Sequence, residues 1–320
     1  MEMLVSTSAV NFDLARVPGV FNPGGGMGVK YARVEEVLRA RFPSIRRVSS
    51  LDSCGDDVIV DALWFVGKRA KRVEAFLEQD FRSVLLYGSQ EYLVEWPHEE
   101  RQRLFESVTW VTHNCAYQLA LYRATGIYQS QFLCDPVPEH LFYPAKKVPR
   151  IVAIGQVSWE KNTEAVIDIF RALQGSGIET VYIGSATSWG GKESPVVTAF
   201  RHRLEDSLRE VTDVFLGNVS QQEVARWLNT SMHHLHVAHY DTSCQNQQEA
   251  ALSGCILWGL THPLSAERPV FWFEEPLACA EAIRGYTYDA GRAEEIHRHA
   301  LAKWSYAAFL NQFDKLMMEV

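Results

Sequence analysis

Short apolar runs alternate with helical patterns along the second half of the chain. Each run has the length of a buried strand and ends near a glycine or a polar loop. The predicted strands are Arg150–Ile154, Thr180–Ile183, Val214–Leu216, His234–Val237 and Cys255–Trp258. The segments between them predict the helices Glu164–Leu173, Pro195–Leu208, Gln221–Leu228 and Gln247–Leu252. This alternation predicts a parallel sheet with helices on both faces.

The first half has the same rhythm with less regular spacing. Its predicted strands are Met3–Ser6, Arg47–Ser49, Val58–Ala62, Ser83–Tyr87, Val108–Thr112 and Gln131–Cys134. Its predicted helices are Val29–Arg41, Gly67–Gln79, His98–Phe105 and Cys115–Thr125. The segment Asp135–Arg150 is rich in proline and is predicted to be irregular.

These patterns predict an α/β protein with two Rossmann-like domains whose parallel sheets face each other across a cleft. A length of 320 residues suits two domains. We expect the first domain over residues 1–135, a linker over 136–149 and the second domain over 150–302. Ligands of such folds bind at the carboxyl ends of the strands, where the strand order reverses.

The charge, the lack of a long apolar stretch and the cysteine spacing exclude several classes of protein function. The net charge is -8, so the chain is not built to hold polyanions through its overall field. The basic residues over Arg39–Arg47 and Lys68–Arg72 are interpreted as solvated helix faces, or alternatively as a weak site for phosphate, DNA or anionic lipid head groups. No apolar stretch is long enough to span a membrane, and the first residues lack the pattern of a signal peptide. The cysteines are scattered without zinc spacing, so we expect reduced thiols in a cytoplasmic protein.

A glycine-rich stretch, NPGGGMG, comes before the first helical pattern. Glycines here let the backbone approach a ligand closely, and the helix start offers N–H groups to a phosphate. The spacing of Gly24, Gly25, Gly26 and Gly28 matches neither the dinucleotide-binding nor the Walker pattern. A flexible loop without a ligand is the alternative.

Two segments of the second half carry the chemistry of a phosphate site. In IVAIGQVSWEKN a strand ends at Gly155, and Lys161 follows on a polar loop, where it can meet a phosphate as a point charge. In HYDTSCQNQQEAALSG a helix beginning near Gln245 offers its first N–H groups to a second phosphate cradle. Glu249 faces the same cleft one turn later, with Asp241 before the helix. The alternative is that Asp241 is an N-cap and Glu249 a solvated helix residue.

Together these segments resemble the GT-B glycosyltransferases of the large retaining family four. FLCDPVPEHLFYP resembles the linker "IPNGVD..RF.P", and IVAIGQVSWEKN resembles "ILFVGRL..EKG". VFLGNVSQQEVARWL resembles "V.F.G.V..EEL..LY", and YDTSCQNQQEAALSGC resembles "YEGFGLV.LEAMACG". AKWSYAAFLNQF resembles the terminal "FSWE..A..L" helix, which implies that residues 303–320 cross back to the first domain. The likeness is strongest over residues 131–318.

The resemblance implies a role for each matching residue. Glu249 is expected to bind the ribose hydroxyls, and Asp241 to face the donor sugar and stabilise its developing positive charge. Lys161 is expected to neutralise the diphosphate. The remaining implied donor-binding residues are Gly25 and Gly26 at the phosphates or acceptor, Gly155, Gln156, Thr242 and Ser243 around the site, Cys244, Gln245 and Asn246 at the diphosphate, and Gly217, Asn218 and Val219 at the base. No metal and no cofactor are expected beside a UDP- or GDP-sugar donor, because lysine and helix N-termini neutralise the charge.

The chain departs from the family pattern at the diphosphate. The arginine that follows the strand-ending glycine in the family is Gln156 here, so one positive charge is missing. Lys30 or Arg268 is expected to supply it. The family's histidine of the first domain falls at Gly88 and Ser89, and His98 and His113 are the substitutes, although each also fits a surface or capping residue.

Three functions follow from these observations. The first is an active retaining glycosyltransferase acting on a lipid, glycan, small molecule or modified nucleic-acid base. The second is a degenerate relative that binds sugar nucleotide and serves as a partner or regulatory protein, which Gln156 and Asp241 favour. The third is another nucleotide-handling protein with two Rossmann-like domains, such as an epimerase or a phosphorylase.

Overall fold

The computed structural model describes most of the second half of the chain and part of the first. The described residues are 12–15, 26–48, 57–61, 74, 76–79, 81, 83–87, 98–124, 126–187, 194–239, 244–260 and 269–318. They fall into two compact units. The first holds β1, Met27–Pro136 and the chain from Phe309, and the second holds Val137–Ala308.

The first unit is built on a six-stranded parallel sheet with the order β2-β1-β3-β4-β5-β6. The strands are β1 Phe12–Ala15, β2 Arg46–Val48, β3 Asp57–Asp61, β4 Ser83–Tyr87, β5 Trp110–His113 and β6 Ser130–Phe132. The helices with defined bounds are α1 Gly26–Arg41, α2 His98–Glu106 and α3 Ala116–Ala124. The strand order reverses between β1 and β3, so α1 begins at the carboxyl side of this switch point.

The second unit has a six-stranded parallel sheet with the order β12-β11-β10-β7-β8-β9. The strands are β7 Val148–Ile154, β8 Glu179–Ile183, β9 Val214–Phe215, β10 Ser231–His236, β11 Ile256–Leu260 and β12 Val270–Phe273. The helices are α4 Thr163–Leu173, α5 Pro195–Val211, α6 Gln221–Thr230, α7 Gln245–Leu252, α8 Pro276–Gly285 and α9 Ala290–Trp304, and α10 Tyr306–Met318 follows, ending in the first unit.

Helices cover both faces of this second sheet. Successive residues Ile151, Val152 and Ala153 of β7 are all buried, although their side chains point to opposite faces. On α4 the apolar face predicted from periodicity packs into the core, and Ile169 and Leu173 are fully buried. The predicted α/β class with parallel sheets is therefore confirmed.

Several element predictions differ from the structure. The first described strand is Phe12–Ala15, which the sequence did not predict, and Met3–Ser6 and most of Gly67–Gln79 lie outside the described residues. The strand β7 begins at Val148, inside the proline-rich segment that was expected to be irregular. Pro149 is accommodated there because the pairing of β7 with β10 shifts register beside it, so a ladder donor is not required at that residue.

The single helix expected over 303–320 is also a difference. The chain instead forms the end of α9 and the separate helix α10, with a break at Ser305. The Ser305 hydroxyl oxygen accepts a hydrogen bond from Ala308 N at 3.0 Å, so it caps the start of α10. The sequence pattern predicts one continuous helix through Ser305, whereas the Ser305 side chain caps the start of a new helix.

Candidate functional site

The candidate site lies at the carboxyl ends of the strands of the second unit, where their order reverses. The chain runs from β7 to β8 and β9 on one side and then crosses to β10 on the other. The loops that follow β7 and β10 therefore leave the sheet in opposite directions and open a crevice between them. The sequence predicted functional residues in both loops.

The loop after β7 has a fixed shape. The Thr163 hydroxyl donates a hydrogen bond to the Ser158 carbonyl oxygen at 3.0 Å. The Thr163 hydroxyl oxygen in turn accepts a hydrogen bond from Ser158 N, also at 3.0 Å. Lys161 N donates to the Ser158 hydroxyl oxygen at 3.3 Å, and Asn162 has a left-handed backbone with φ 51. These bonds present Lys161 at the carboxyl edge of the sheet.

The Lys161 side chain folds back over the end of β7. A Cβ atom placed on Gly155 would lie 3.6 Å from Lys161 Cγ, so the glycine leaves room for the lysine stem. Burial alone would raise the pKa of Glu160, but the hydrogen bond from Ser158, a backbone hydrogen bond and then the charges of Arg201 and Lys161 together lower it. Glu160 is therefore an ionised neighbour of Lys161 at neutral pH.

The second wall of the crevice is the start of α7. The helix begins at Gln245, close to the expected position, with Cys244 as an N-cap that has φ 42 and gives no side-chain cap. The first N–H groups of a helix have no partner inside the helix and carry partial positive charge. The Cys244 sulfur lies 3.2 Å from His236 Nε2. Glu249 is buried one turn later, so the interpretation of Glu249 as a solvated helix residue is wrong.

Contacts across the switch point bring the two walls together. Asn246 Nδ2 donates to the Ile154 carbonyl at 2.7 Å, at the end of β7. His239 N donates to the Glu160 carbonyl at 3.1 Å, which joins the loop after β10 to the loop after β7. The structure therefore places the start of α7 and the loop of Lys161 on the same crevice.

The residues predicted at the nucleotide base lie on the other side of β7. Gly217, with φ 57, accepts a hydrogen bond from Gly184 N at 2.8 Å, so the ends of β8 and β9 are tied together. Asn218 is exposed and Val219 is half-buried beside it. These residues share the carboxyl edge with Gly155.

The side chain of Gln156 is neutral and hydrogen-bonds to a neighbouring loop. Its Nε2 donates to the Thr187 carbonyl at 3.1 Å, in the loop after β8. The side chain therefore supports a neighbouring loop, and the missing positive charge of the family pattern is not replaced at this position.

The proposed substitutes for that charge have different positions. Lys30 is buried within the first unit, where Nζ lies 2.7 Å from Asp135 Oδ1. The Lys30 charge is therefore already paired with the Asp135 carboxylate. Asn114 Nδ2 also donates a hydrogen bond to this carboxylate, at 2.8 Å from Asp135 Oδ2. Arg268 lies outside the described residues.

Some other predicted site residues lie at positions that differ from the prediction, and others lie outside the described part of the chain. Gly26 and Gly28 belong to α1, so they are not in the loop before the helix as expected. His113 is a buried residue at the end of β5, whereas the sequence suggested a surface or capping position. Burial, followed by the charge of Arg123, lowers the pKa of His113 to about 3. The residues that lie outside the described part of the chain are Gly24, Gly25, Gly88, Ser89, Asp241, Thr242 and Ser243.

Sequence reasoning missed two aromatic groups at the crevice. Trp159 and His239 come from the two loops of the switch point, and their ring centroids lie 4.9 Å apart. These two residues are distant in sequence and meet because β7 and β10 are neighbouring strands. In the sequence, the one sign of this aromatic surface is a tryptophan in a polar loop.

Among the described residues, no cluster of three or more His, Cys, Asp or Glu side chains could hold a metal ion. No helix within the same ranges is long and apolar enough to cross a membrane. The described cysteines, Cys115, Cys134, Cys244, Cys255 and Cys279, are buried and unbridged, as expected for thiols.

The two parallel sheets and their strand orders define the class: the chain has the GT-B fold of glycosyltransferases. Sucrose-phosphate synthase from Thermosynechococcus elongatus is similar with a TM-score of 0.73 and 15% identity, covering 97% of this chain and 98% of that one. HepE from Anabaena in complex with UDP-glucose gives a TM-score of 0.70 and 13% identity, covering 97% and 100%. AviGT4, a glycosyltransferase involved in avilamycin A biosynthesis, gives 0.64 and 14%, covering 96% of each chain. No protein-family model and no curated protein matches this chain.

Proposed function

We propose that this protein is a glycosyltransferase that takes a sugar from a nucleotide-diphosphate donor. The observation that carries the proposal is the switch point of the second unit, where hydrogen bonds from Asn246 to the Ile154 carbonyl and from His239 N to the Glu160 carbonyl join the start of α7 and the loop after β10 to the end of β7 and the loop of Lys161. A cationic side chain opposite helix N–H groups is suited to a diphosphate, because both stabilise negative charge. That UDP and UDP-glucose occupy HepE, a protein of the same fold, supports a UDP-sugar among the donors.

The roles of individual residues are part of the proposal. Lys161 and the backbone N–H groups of Gln245 and Asn246 hold the diphosphate and stabilise it as the leaving group. Glu249 binds the ribose hydroxyls, for which its burial near the start of α7 is suited. Asp241 is assigned to stabilise the positive charge that develops on the donor sugar, and Gly217, Asn218 and Val219 frame the base.

The reaction is proposed to retain the configuration of the anomeric carbon. The bond from that carbon to the diphosphate breaks while the acceptor oxygen attacks the same face, and the leaving phosphate takes the acceptor proton. Lys161 and the helix N–H groups neutralise the charge that develops on the phosphate, so we expect activity to persist in a chelator.

A thermal-shift titration with UDP and GDP tests the donor site. A ligand at 100 times its Kd stabilises the folded state by about 2.7 kcal/mol, and we expect one nucleotide to give such a shift. Glu249→Ala should abolish it, and Glu294→Ala, which removes an exposed carboxylate on α9 of the same unit, should not. An unchanged shift in Glu249→Ala would remove Glu249 from the site.

A catalytically degenerate binding protein is the second proposed function, and Gln156 is the observation that favours it. The neutral side chain supports a loop and leaves the diphosphate with less positive charge than in the family pattern. Release of free sugar from a nucleotide sugar without acceptor distinguishes the two functions. An enzyme releases it slowly, whereas a degenerate relative binds nucleotide and releases none.

A further inference from the structure

Trp159 is a large aromatic side chain exposed on the rim of the candidate crevice. It is 60% exposed. Burying its ring would contribute hydrophobic free energy to folding, and the exposed ring does not make this contribution. It lies two residues before Lys161, on the loop after β7. An exposed tryptophan beside a ligand crevice is suited to contact a ligand that is not yet bound.

The backbone around Trp159 is held in one conformation. Its carbonyl accepts a hydrogen bond from Asn162 N at 2.8 Å, and the flanking Ser158 is fixed by Thr163. His239 N holds the next residue by donating to the Glu160 carbonyl at 3.1 Å. Because the loop is already ordered, a ligand that contacts the indole ring has little conformational entropy to remove.

His239 extends the aromatic surface across the switch point. Its ring centroid lies 4.9 Å from that of Trp159, with 35° between the ring planes. The two rings come from different loops, so they form a continuous rim above the crevice. We call Trp159 and His239 the aromatic rim.

The Trp159 and Lys161 side chains leave the loop after β7 towards different surroundings. The Lys161 stem folds down over Gly155 at the end of β7, whereas the Trp159 side chain is turned to solvent. A donor whose diphosphate lies at the floor of the crevice leaves the rim to the second substrate. The rim is thus placed to contact the acceptor.

The chemistry around the rim is polar. Ser158, Glu160 and Lys161 flank Trp159 in sequence, and the charge of Glu160 is opposed by Arg201, whose Nη2 lies 3.9 Å from Glu160 Oε2. A lipid chain would need a larger contiguous apolar surface than two rings. A pyranose ring has a flat face of C–H groups and an edge of hydroxyls, which fits an aromatic surface bordered by polar side chains.

We propose that the aromatic rim stacks on a pyranose ring of the acceptor, so that the acceptor is a glycan or a glycoside. This inference rests on the proposed glycosyltransferase function. It assigns Trp159 as the residue that makes the larger contact and His239 as its support.

Transfer assays with defined acceptors test the proposal. The donor is the nucleotide sugar that gives the largest thermal shift, and the acceptors are methyl glycosides and disaccharides of glucose, galactose, mannose and N-acetylglucosamine. Glycerol 3-phosphate, dodecanol and 5-hydroxymethylcytidine are the acceptors without a pyranose. We expect transfer to at least one glycoside, with Trp159→Ala raising its KM about 10-fold and changing kcat less than about twofold.

Matched variants separate stacking from general hydrophobic contact. Trp159→Phe keeps an aromatic face and should hold the KM within about threefold of wild type, whereas Trp159→Leu should behave like Trp159→Ala. The UDP affinity should be the same in all three variants, which shows that the donor site and the fold are intact. Leu277→Ala removes another exposed apolar side chain of this unit and should change neither value.

Three outcomes would overturn the inference. They are an unchanged glycoside KM in Trp159→Ala, a Trp159→Leu variant as active as Trp159→Phe, and a wild-type protein that transfers sugar to an acceptor without a pyranose but to no glycoside. Failure of the glycosyltransferase proposal looks different, because the wild-type protein would then transfer sugar to none of the acceptors and release no free sugar from a nucleotide sugar.

Discussion

Two residues at the crevice keep a backbone conformation that favours glycine. Asn162 and Cys244 have φ values of 51 and 42, and they are the non-glycine residues with positive φ in the described part of the chain. Each is the N-cap of a helix that begins at the switch point. The glycosyltransferase patterns that these two segments resemble have glycine at both positions. Strain of this kind concentrates at functional sites.

Asn162 allows this conformation to be tested on stability. Asparagine tolerates the left-handed region better than alanine, and the Asn162 side chain makes no cap hydrogen bond. We expect Asn162→Ala to lower the free energy of unfolding by about 1 kcal/mol and Asn162→Gly to leave it within about 0.5 kcal/mol. Urea unfolding of both variants measures the difference. Equal losses in the two variants would mean that backbone conformation does not set the cost.

Lys161 carries the main charge of the proposed diphosphate site. Loss of a charged hydrogen-bond donor to a phosphate costs about 1.5–3 kcal/mol, so we expect Lys161→Ala to weaken UDP binding about 10- to 100-fold. Isothermal titration calorimetry measures the affinity. Lys146→Ala is the control, because Lys146 is an exposed lysine of the same unit before β7. UDP affinity that drops equally in the two variants would argue for a bulk charge effect.

At the scale of elements, the ends of β7, β8 and β9 form the edge on which the site depends. Gly184 follows β8 with φ 142, donates to the Gly217 carbonyl and lies against the Gly155 carbonyl. A Cβ atom at Gly184 would be 1.7 Å from Gly155 O, which no small adjustment relieves. The close approach of these strand ends requires a glycine.

Gly184→Ala should therefore disrupt the edge. We expect the free energy of unfolding to fall by more than about 3 kcal/mol, since both the clash and the positive φ oppose a side chain. Gly285→Ala is the matched control, because a Cβ at the end of α8 meets no atom within 4 Å. Chemical unfolding of both variants provides the comparison, and a Gly184→Ala protein as stable as Gly285→Ala would contradict the expected packing.

Element predictions were correct where a local pattern reports burial and failed where the element depends on contacts outside that pattern. The apolar face of α4 and the buried run of β7 are predicted correctly because periodicity reports which side chains are buried. The strand β12, Val270–Phe273, is half-buried and aromatic, and the sequence analysis did not predict it. The α9–α10 break depended on the hydroxyl of Ser305, whose hydrogen bond is visible only in the structure.

At the scale of the whole molecule, buried histidines link stability to pH. Burial lowers the pKa of His234 to about 3, and burial followed by the charge of Lys147 lowers that of His233 to about 4. Together with His113, whose pKa is about 3, they are neutral in the folded protein at pH 5. In the unfolded chain each has an ordinary pKa near 6.5.

The sign of the pH dependence follows from these pKa values. Between about pH 6.5 and pH 4 the unfolded chain binds more protons, so stability falls as the pH is lowered through 6.5. From pH 7 to pH 5 we expect each of these histidines to remove about 1–2 kcal/mol from the free energy of unfolding. Urea unfolding across this pH range measures the loss.

His234→Leu is the matched variant for this dependence. It replaces a fully buried imidazole with an apolar side chain of similar size, so one source of proton uptake on unfolding is removed. The number of protons taken up on unfolding, which sets the slope of the unfolding free energy against pH, should become smaller by about one. An unchanged slope would show that His234 does not contribute.

The sequence by itself determined the α/β class, the parallel sheets and the loops that carry Lys161 and the start of α7. Local periodicity and glycine punctuation encode these features, because burial of a side chain is set by its place within one strand or helix. Only the tertiary structure decided which strands are neighbours. The pairing of β10 with β7 brings Asn246 to Ile154 and His239 to Trp159, contacts that no local pattern contains. It also decided that Lys30 is matched by Asp135 and that Gln156 supports a loop, since such partners depend on distant residues meeting in the folded chain.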